Sequence, residues 1–394
     1  MNLAVSPIAD SVRVQLDLHL DRMRESLGFN HVFVARVAGG ERRVEALSPG
    51  SGPEWDVLRA EALTLCRVDD CPVTCAAARL APGLFAGQFA GPVPDTTARE
   101  ATPAAFGVPV LLSNGALYGV LGGRRKRGGL SGFDVAAKLA DFALLITVGL
   151  DLLHAEETAR QKTRGMVQDV IRGRRFHPVF QPVRDVETGD VIYAEGLTRL
   201  EEAVGSGIAG LLTAAHGVGL GVDLELAFAR AVLAAPRAPG PVAVNLSEAT
   251  LRTRAFDAFL MEVGAQPLIV ELTEHAPVSD YSALSRVVNR MRKRGVKLAI
   301  DDAGAGFTSL RHIIDLKPDI LKIDASLSAR IDVDGDAVAL IQFLQNYCDE
   351  TGTLLVIEGI EREDQVDALR GIGVRYLQGY HVGLPERQTG LAGE

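Results

Sequence analysis

Short apolar runs alternate with helical patterns along residues 176–394. Eight of these runs end in polar side chains: VFQPV (179–183), VIYAEGL (191–197), VAVNLS (242–247), LIVELTE (268–274), VKLAIDD (296–302), ILKID (320–324), LLVIEG (354–359) and VRYLQGY (374–380). Helical periodicity fills most of the intervals between them, for example over 281–293 and 336–350. Strand and helix repeated about eight times predict an α/β fold of the TIM-like (β/α)8 barrel type. An open doubly wound sheet is the alternative.

The first 150 residues have a different pattern, typical of an α+β domain. An amphipathic helix over 12–27 precedes an alternating strand at 31–37, and two further strands flank the turn at Asn114 and Gly115. We therefore place an N-terminal domain at 10–150, a helical linker at 151–175 and the barrel at 176–394.

A helical pattern without proline runs from residue 132 to about 171. A helix of that length favours a connection between two domains, with two helices broken near Gly149 as the alternative. Its apolar positions between Leu139 and Leu153 predict a parallel homodimer, with packing onto its own domain as the alternative.

Composition narrows the class of protein. The chain is 47% hydrophobic and 23% charged, as expected for a globular protein, and its net charge of −9 argues against coating a nucleic-acid polymer. The longest strongly apolar stretch, 142–150, is too short for a membrane span, which needs about 20 residues. No secretory signal is visible, so we expect a cytoplasmic protein without a disulfide framework.

The polar ends of the predicted strands carry the candidate chemistry, because the carboxyl ends of barrel strands meet on one face. They are Glu195, Asn245, Glu271, Asp301, Asp302, Lys322, Glu358 and Gln378. Each alone could be a helix cap, a surface charge or a rim lysine. Together, the carboxylates would repel one another unless protonated or bridged by cations, and oxygen-only ligands favour Mg²⁺ or Mn²⁺. Two such ions can clamp the oxygens of a phosphoryl transfer, with the adjacent Asp301 and Asp302 as the bridge.

The same region carries a family resemblance. Its ordered motifs are FQPV (180–183), EGLTR (195–199), VNLS (244–247), ELTE (271–274), DDAGAGFTSL (301–310), LKID (321–324), EGIE (358–361) and QGY (378–380). In these motifs the chain resembles the EAL domain, the cyclic di-GMP phosphodiesterase family. The resemblance implies hydrolysis of cyclic di-GMP to linear pGpG by a water activated by two Mg²⁺ or Mn²⁺ ions.

The resemblance also implies residue roles. One metal would be held by Glu195, Asn245, Glu271 and Asp301, and the second by Asp301, Asp302 and Glu358. Lys322 would orient the attacking water, Gln378 would support it, and Glu274 would anchor the loop after Asp302. The implied substrate contacts are Arg199, Leu197, Gln181 and Asp324.

Two departures from the family pattern bear on activity. Gly196 stands where Ala is usual, and Ala303 stands where many members have Phe. Neither removes a metal ligand or the lysine, so an active enzyme is the leading hypothesis. A receptor that binds cyclic di-GMP and signals through protein contacts is the alternative.

The N-terminal domain resembles a GAF sensor domain in the segments 27–37 and 106–123 and in the helix from Phe133; the PAS fold is the alternative. This resemblance implies regulation of the barrel through the linker helix by an unknown small-molecule or redox effector. Cys66, Cys71 and Cys75 lie within ten residues. They could bind a metal or form a redox-switched disulfide, or could simply be buried on a helix.

Overall fold

The computed structural model describes residues 7–48, 66–67, 72–80, 84, 104–125, 132–201, 207–236, 240–273, 280–303, 308–331 and 334–387. The chain divides into two compact units, Met1–Arg160 and Gln161–Glu394. Among the described residues, no helix combines the length and the apolarity needed to cross a bilayer.

The first unit is built on a five-stranded antiparallel sheet in the order β3-β2-β1-β5-β4. Its elements are α1 (Pro7–Leu27), β1 (His31–Ala38), β2 (Glu41–Ser48), β3 (Cys66–Arg67), α2 (Pro72–Leu80), β4 (Ala104–Leu111), β5 (Leu117–Arg125) and the first part of α3 (Gly132–Gly173). Helices α1 and α3 pack on one face of the sheet, and α2 packs on the other.

The predicted hairpin and long helix are both present. Gly115 has a φ of +80° in the turn between β4 and β5, where the Leu112 amide also pairs with the Ala116 carbonyl at 2.9 Å. Helix α3 runs for 42 residues without a break at Gly149. A β-carbon on that glycine would lie 3.1 Å from Val12 Cγ1, so the glycine permits a close approach of α1.

The second unit is a closed eight-stranded barrel, which confirms the predicted α/β architecture. Its strands are β6 (Phe176–Asp185), β7 (Val191–Leu200), β8 (Val242–Ser247), β9 (Leu268–Thr273), β10 (Lys297–Ala303), β11 (Ile320–Ile323), β12 (Leu354–Ile357) and β13 (Tyr376–Leu377). Its helices are α4 (Ile208–Gly217), α5 (Gly221–Ala234), α6 (Glu248–Leu251), α7 (Arg254–Val263), α8 (Tyr281–Arg292), α9 (Thr308–Leu316), α10 (Ala325–Ser328), α11 (Gly335–Thr351) and α12 (Glu363–Gly371).

One strand departs from the all-parallel pattern of a (β/α)8 barrel. Strand β6 is antiparallel to both of its neighbours, β7 and β13. The cause is local, because only a tight turn joins β6 to β7, and Gly189 adopts a φ of +79° in it. A short connection makes a hairpin, whereas parallel neighbours need a longer crossover.

Side chains inside the barrel form two levels because alternate residues of a strand point the same way. The lower level is a packed cluster of Val183, Tyr193, Ala243, Ile269, Ala299, Ile320 and Val356. In each strand of this cluster, the residue two positions nearer the mouth is polar: Gln181, Glu195, Asn245, Glu271, Asp301, Lys322 and Glu358. The fold thus places the polar strand ends above an almost entirely apolar floor.

Gly196 is matched to a residue on a neighbouring helix. A β-carbon at this position would lie 2.3 Å from Val232 Cγ1, and Val232 on α5 is buried. Overpacking of this kind typically costs about 1–3 kcal/mol. The glycine in EGLTR is therefore explained by the valine packed against it.

We expect Gly196→Ala to lower the free energy of unfolding by about 1–3 kcal/mol, because Val232 occupies the space of the new methyl group. Urea denaturation measures this, with Gly165→Ala on α3 as the control, since nothing lies within 4 Å of a β-carbon there. Adding Val232→Ala should relieve part of the loss. Strictly additive effects of the two substitutions would contradict the account.

Candidate active site

Lys322 lies at the centre of a buried group of carboxylates at the barrel mouth. Its Nζ is 3.2 Å from Glu195 Oε2, 3.0 Å from Glu271 Oε2, 3.2 Å from Asp301 Oδ1 and 2.5 Å from Glu358 Oε1. Lys322 and Glu271 are 1% and 0% exposed, so water screens these contacts weakly. In the structure, four of the predicted acidic residues therefore contact the same ammonium group.

Neutral amides surround the same carboxylates. Asn245 Nδ2 donates to Glu195 Oε1 at 2.7 Å, and Gln378 Nε2 donates to Glu195 Oε2 at the same distance. Gln378 also lies 3.4 Å from Gln181, whose own amide donates to the Gly383 carbonyl. Both oxygens of Glu195 are thus held in place by side chains from other strands.

The electrostatics of the group reflect a shortage of positive charge. Burial raises the pKa of Glu271 well above its ordinary value, and the nearby Glu195 charge adds to this. Burial likewise raises the pKa of Glu358 to about 7. Burial opposes the charge of Glu195 as well, but Lys322 and the two amides outweigh it and keep its pKa low. One ammonium ion does not stabilise every carboxylate in the group.

The donor chemistry fits a hard divalent cation. Asn245 Oδ1 and Glu271 Oε1 are buried oxygens without a hydrogen-bond partner, and the site offers only oxygen donors. As the side chains stand, no three acidic, histidine or cysteine residues of the described chain surround a point suited to a metal ion. A bound cation would share the carboxylates that Lys322 now contacts.

A cavity of about 640 Å³ opens beside this group, between β7, β8, α4 and α5. Leu197 and Arg199 line it, and Asn245 forms part of the same wall. The Arg199 side chain is exposed, and within the described part of the chain it donates to the Thr198 carbonyl. Asn245 is the residue that this cavity shares with the carboxylate group, since none of the four carboxylates around Lys322 lines it.

Three further predicted site residues, Asp324, Asp302 and Glu274, are not shown in contact with the carboxylate group. The Asp324 carboxylate caps α10 by accepting from the Ser326 amide at 2.9 Å. The Ser326 side chain lowers its pKa most, and the backbone amides add to this effect. Asp302 belongs to β10, but its side chain lies outside the described residues. Glu274 lies outside them entirely.

The structure describes only part of the predicted cysteine cluster. Cys66 begins β3 and Cys75 lies in α2, but their side chains, like the whole of Cys71, fall outside the described residues. Cys348, predicted to be core, is fully buried on α11.

Sequence reasoning missed two polar groups next to the site. Tyr193 lies beneath the carboxylates with a buried hydroxyl. Glu225 on α5 is buried; it contacts His216 Nε2 at 2.7 Å and accepts from the Ser247 amide at 2.9 Å. The available signals were the two-residue spacing from Tyr193 to Glu195 and the acidic residue within the apolar run LELAF.

The comparison with known families identifies the barrel. Residues 164–385 match the EAL domain, which is more than half of the 394-residue chain. The chain therefore belongs to the EAL domain family.

Individual relatives agree with this assignment. The barrel region is 27% identical over 242 residues to the probable cyclic di-GMP phosphodiesterase PdeB of Escherichia coli, a match that covers 57% of this chain and 46% of the relative. The phosphodiesterase PaMucR, solved with cyclic di-GMP, is 26% identical over 57% of this chain and 97% of its own, with a TM-score of 0.50. The FimX EAL domain of Xanthomonas citri, at 16% identity, 60% and 98% coverage and a TM-score of 0.51, shows the same fold. The chain spans less than half the length of the first curated relatives it matches.

The His216–Glu225 pair predicts a pH-dependent stability. The hydrogen bond to Glu225 raises the pKa of His216 above 6.5, and burial opposes this only in part. Although burial opposes the charge of Glu225, His216 and Ser247 hold the pKa of that carboxyl below 4.5. The charged pair therefore contributes fully between about pH 4.5 and 6.5, and the contribution is lost as pH rises through the folded-state pKa of His216.

We expect His216→Gln to lower the melting temperature most between pH 5 and 6 and least at pH 9, because only the charged histidine is lost at acidic pH. Thermal unfolding across this range, repeated with Glu225→Gln, measures the effect. Both variants should show the same pH-dependent loss between pH 5 and 9, and Glu225→Gln should show a further loss at every pH because its carboxylate also accepts from Ser247. A destabilisation that does not change with pH would show that the ion pair adds nothing.

Proposed function

We propose that this chain hydrolyses cyclic di-GMP to linear pGpG as a divalent-cation-dependent phosphodiesterase of the cytoplasm. The observation that carries the proposal is the convergence of Glu195, Glu271, Asp301 and Glu358 on Lys322 within the matched EAL region. The relatives named as cyclic di-GMP phosphodiesterases supply the substrate class.

Two Mg²⁺ or Mn²⁺ ions are the proposed cofactors. Glu195, Asn245, Glu271 and Asp301 would hold one ion, and Asp301, Asp302 and Glu358 would hold the second. Such ions neutralise phosphate charge and activate water for attack on phosphorus. The unpartnered oxygens of Asn245 and Glu271 support this assignment, because each is a buried acceptor that a cation would satisfy.

The chain's own residues would then position the substrate and the water. The cavity at Leu197 and Arg199 would receive the nucleotide, with the Arg199 guanidinium on a phosphate oxygen. The Lys322 ammonium would hold and orient the attacking water, and Gln378 would keep Glu195 in place through its 2.7 Å hydrogen bond. Gln181 Oε1 in turn lies 3.4 Å from Gln378 Nε2.

One observation favours a receptor as the second candidate. Lys322 contacts all four described carboxylates, which partly compensates their charge without any metal. Tight binding of cyclic di-GMP with no pGpG formed in Mg²⁺ or Mn²⁺ would establish the receptor and exclude the enzyme.

We further propose that the first unit is a GAF-type sensor that regulates the barrel in a homodimer, through a small-molecule or redox effector. Its antiparallel sheet flanked by helices supports the assignment. Support for the dimer comes from exposed apolar side chains on α1 and α3, namely Val14, Leu18, Leu144, Leu145, Val148 and Leu152. Apolar faces of this kind commonly mark interfaces between proteins.

We expect Lys322→Met to lower turnover of cyclic di-GMP by about 100-fold or more, because the group that orients the water is lost. Product chromatography in Mn²⁺, with an EDTA blank, measures pGpG, and circular dichroism confirms the fold. Lys297→Met is the matched control, since Lys297 is an exposed lysine at the opposite end of β10. Turnover by Lys322→Met close to that of the wild type would contradict the role of Lys322.

We expect Val148→Glu to convert the dimer into a monomer in sedimentation experiments, because a charge would enter an apolar interface. Ile314→Glu is the control, since Ile314 on α9 is 66% exposed and Val148 is 67% exposed. A wild-type chain that sediments as a monomer would contradict the proposed dimer.

A further inference from the structure

Helix α8 and the turn that follows it carry a run of positive charge. Over residues 281–294 the sequence has no acidic residue and five basic ones: Arg286, Arg290, Arg292, Lys293 and Arg294. The whole chain, in contrast, has a net charge of −9. The buried side chains of the helix, which pack into the barrel core, are Leu284, Val287, Val288 and Met291. The basic positions therefore lie on the solvent side of α8.

Acidic neighbours compensate only two of these charges. Arg290 Nη2 lies 3.1 Å from Asp257 Oδ1 on α7. Arg292 Nε lies 3.6 Å from Asp319 Oδ2. Asp315 on α9 is also close, since its carbonyl accepts from α8, but its carboxylate pairs with an arginine of its own helix at 3.2 Å. The nearby carboxylates are thus already engaged.

Three side chains of the run stay uncompensated, and a fourth cation lies beside them. Arg286, Lys293 and Arg294 are exposed and have no ion pair within the described part of the chain. Arg292 Nη2 donates to the carbonyl of Lys317, which places that exposed lysine, at the end of α9, next to the end of α8. We call the side chains of Arg286, Lys293, Arg294 and Lys317 the basic surface.

The basic surface lies at the end of the barrel where the strands begin, opposite to the carboxylates. Helix α8 ends just before β10 begins, and Lys317 follows α9 just before β11 begins. Asp301 lies four residues further along β10 than its first residue, which is about 13 Å of strand. Because salt screens exposed charges over about 8 Å at physiological ionic strength, the acidic mouth does not cancel the positive potential at the other end.

We propose that the basic surface binds the anionic headgroups of a lipid bilayer, so that the barrel lies against the membrane with its mouth turned to the solvent. Clusters of four or more Lys and Arg residues on an amphipathic helix are typical of surfaces that anionic lipids attract. A bilayer fits better than a nucleic acid, because α8 and α9 have no exposed aromatic ring among their described side chains on which a base could stack.

The test is co-sedimentation of the full-length chain with lipid vesicles. We expect binding to an equal mixture of phosphatidylcholine and phosphatidylglycerol, none to phosphatidylcholine alone, and release by salt. A triple variant, Arg286→Gln with Lys293→Gln and Arg294→Gln, should bind the mixed vesicles about 100-fold more weakly, because each basic residue near an anionic surface contributes about fivefold. Circular dichroism confirms that the variant is folded.

The matched control removes the same charge elsewhere. Lys138→Gln, Lys162→Gln and Arg172→Gln lie at exposed positions spread along α3, and together they should leave vesicle binding as in the wild type. An equal loss in the two triple variants would show that only net charge matters and would overturn the proposal. A wild-type chain that ignores the mixed vesicles, or binds duplex DNA more tightly than it binds them, would overturn it as well.

Discussion

The contact of one buried ammonium group with four carboxylates is the constraint on which the rest of the barrel's chemistry depends. Lys322 and Glu271 are almost inaccessible to water. Three of the four acidic partners come from different strands, and the fourth, Glu358, directly follows β12. At an effective dielectric constant of about 20, two unit charges about 4 Å apart interact by about 4 kcal/mol. A single positive charge therefore leaves substantial repulsion within the group. Burial is the main cause of the raised pKa values of Glu271 and Glu358, and this repulsion adds to it. Bound divalent cations would reduce both effects.

Much of the fold could be predicted from the sequence because the barrel repeats one local pattern. Each apolar run buries both faces of a strand, and each polar residue at its end lies at the mouth, so the strand order alone brings Glu195, Glu271 and Lys322 together. The reversal of β6 was not predicted, although the short TGD turn near Gly189 indicates a hairpin and not a crossover.

The parts of the site that were not predicted depend on contacts between distant elements. Glu225 looks like an ordinary residue of an amphipathic helix until α5 packs beside β8 and its carboxylate meets Ser247. Gly196 likewise stands where the family usually has alanine. The reason is visible only in the structure, where Val232, 36 positions further along the chain, occupies the space of a methyl group at position 196. The sequence can mark one residue of such a pair as unusual, but it does not show which distant residue the side chain meets, because either partner is compatible with many alternatives.

The most direct test of the account is the number of divalent ions bound by the chain. Equilibrium dialysis against Mn²⁺, followed by metal analysis, measures it for the wild type and for a variant that carries both Glu271→Gln and Asp301→Asn. The account predicts close to two ions per wild-type chain and a clear loss in the variant. A wild-type chain that retains no Mn²⁺ would show that Lys322 alone compensates the carboxylates, and would contradict a cation-dependent active site.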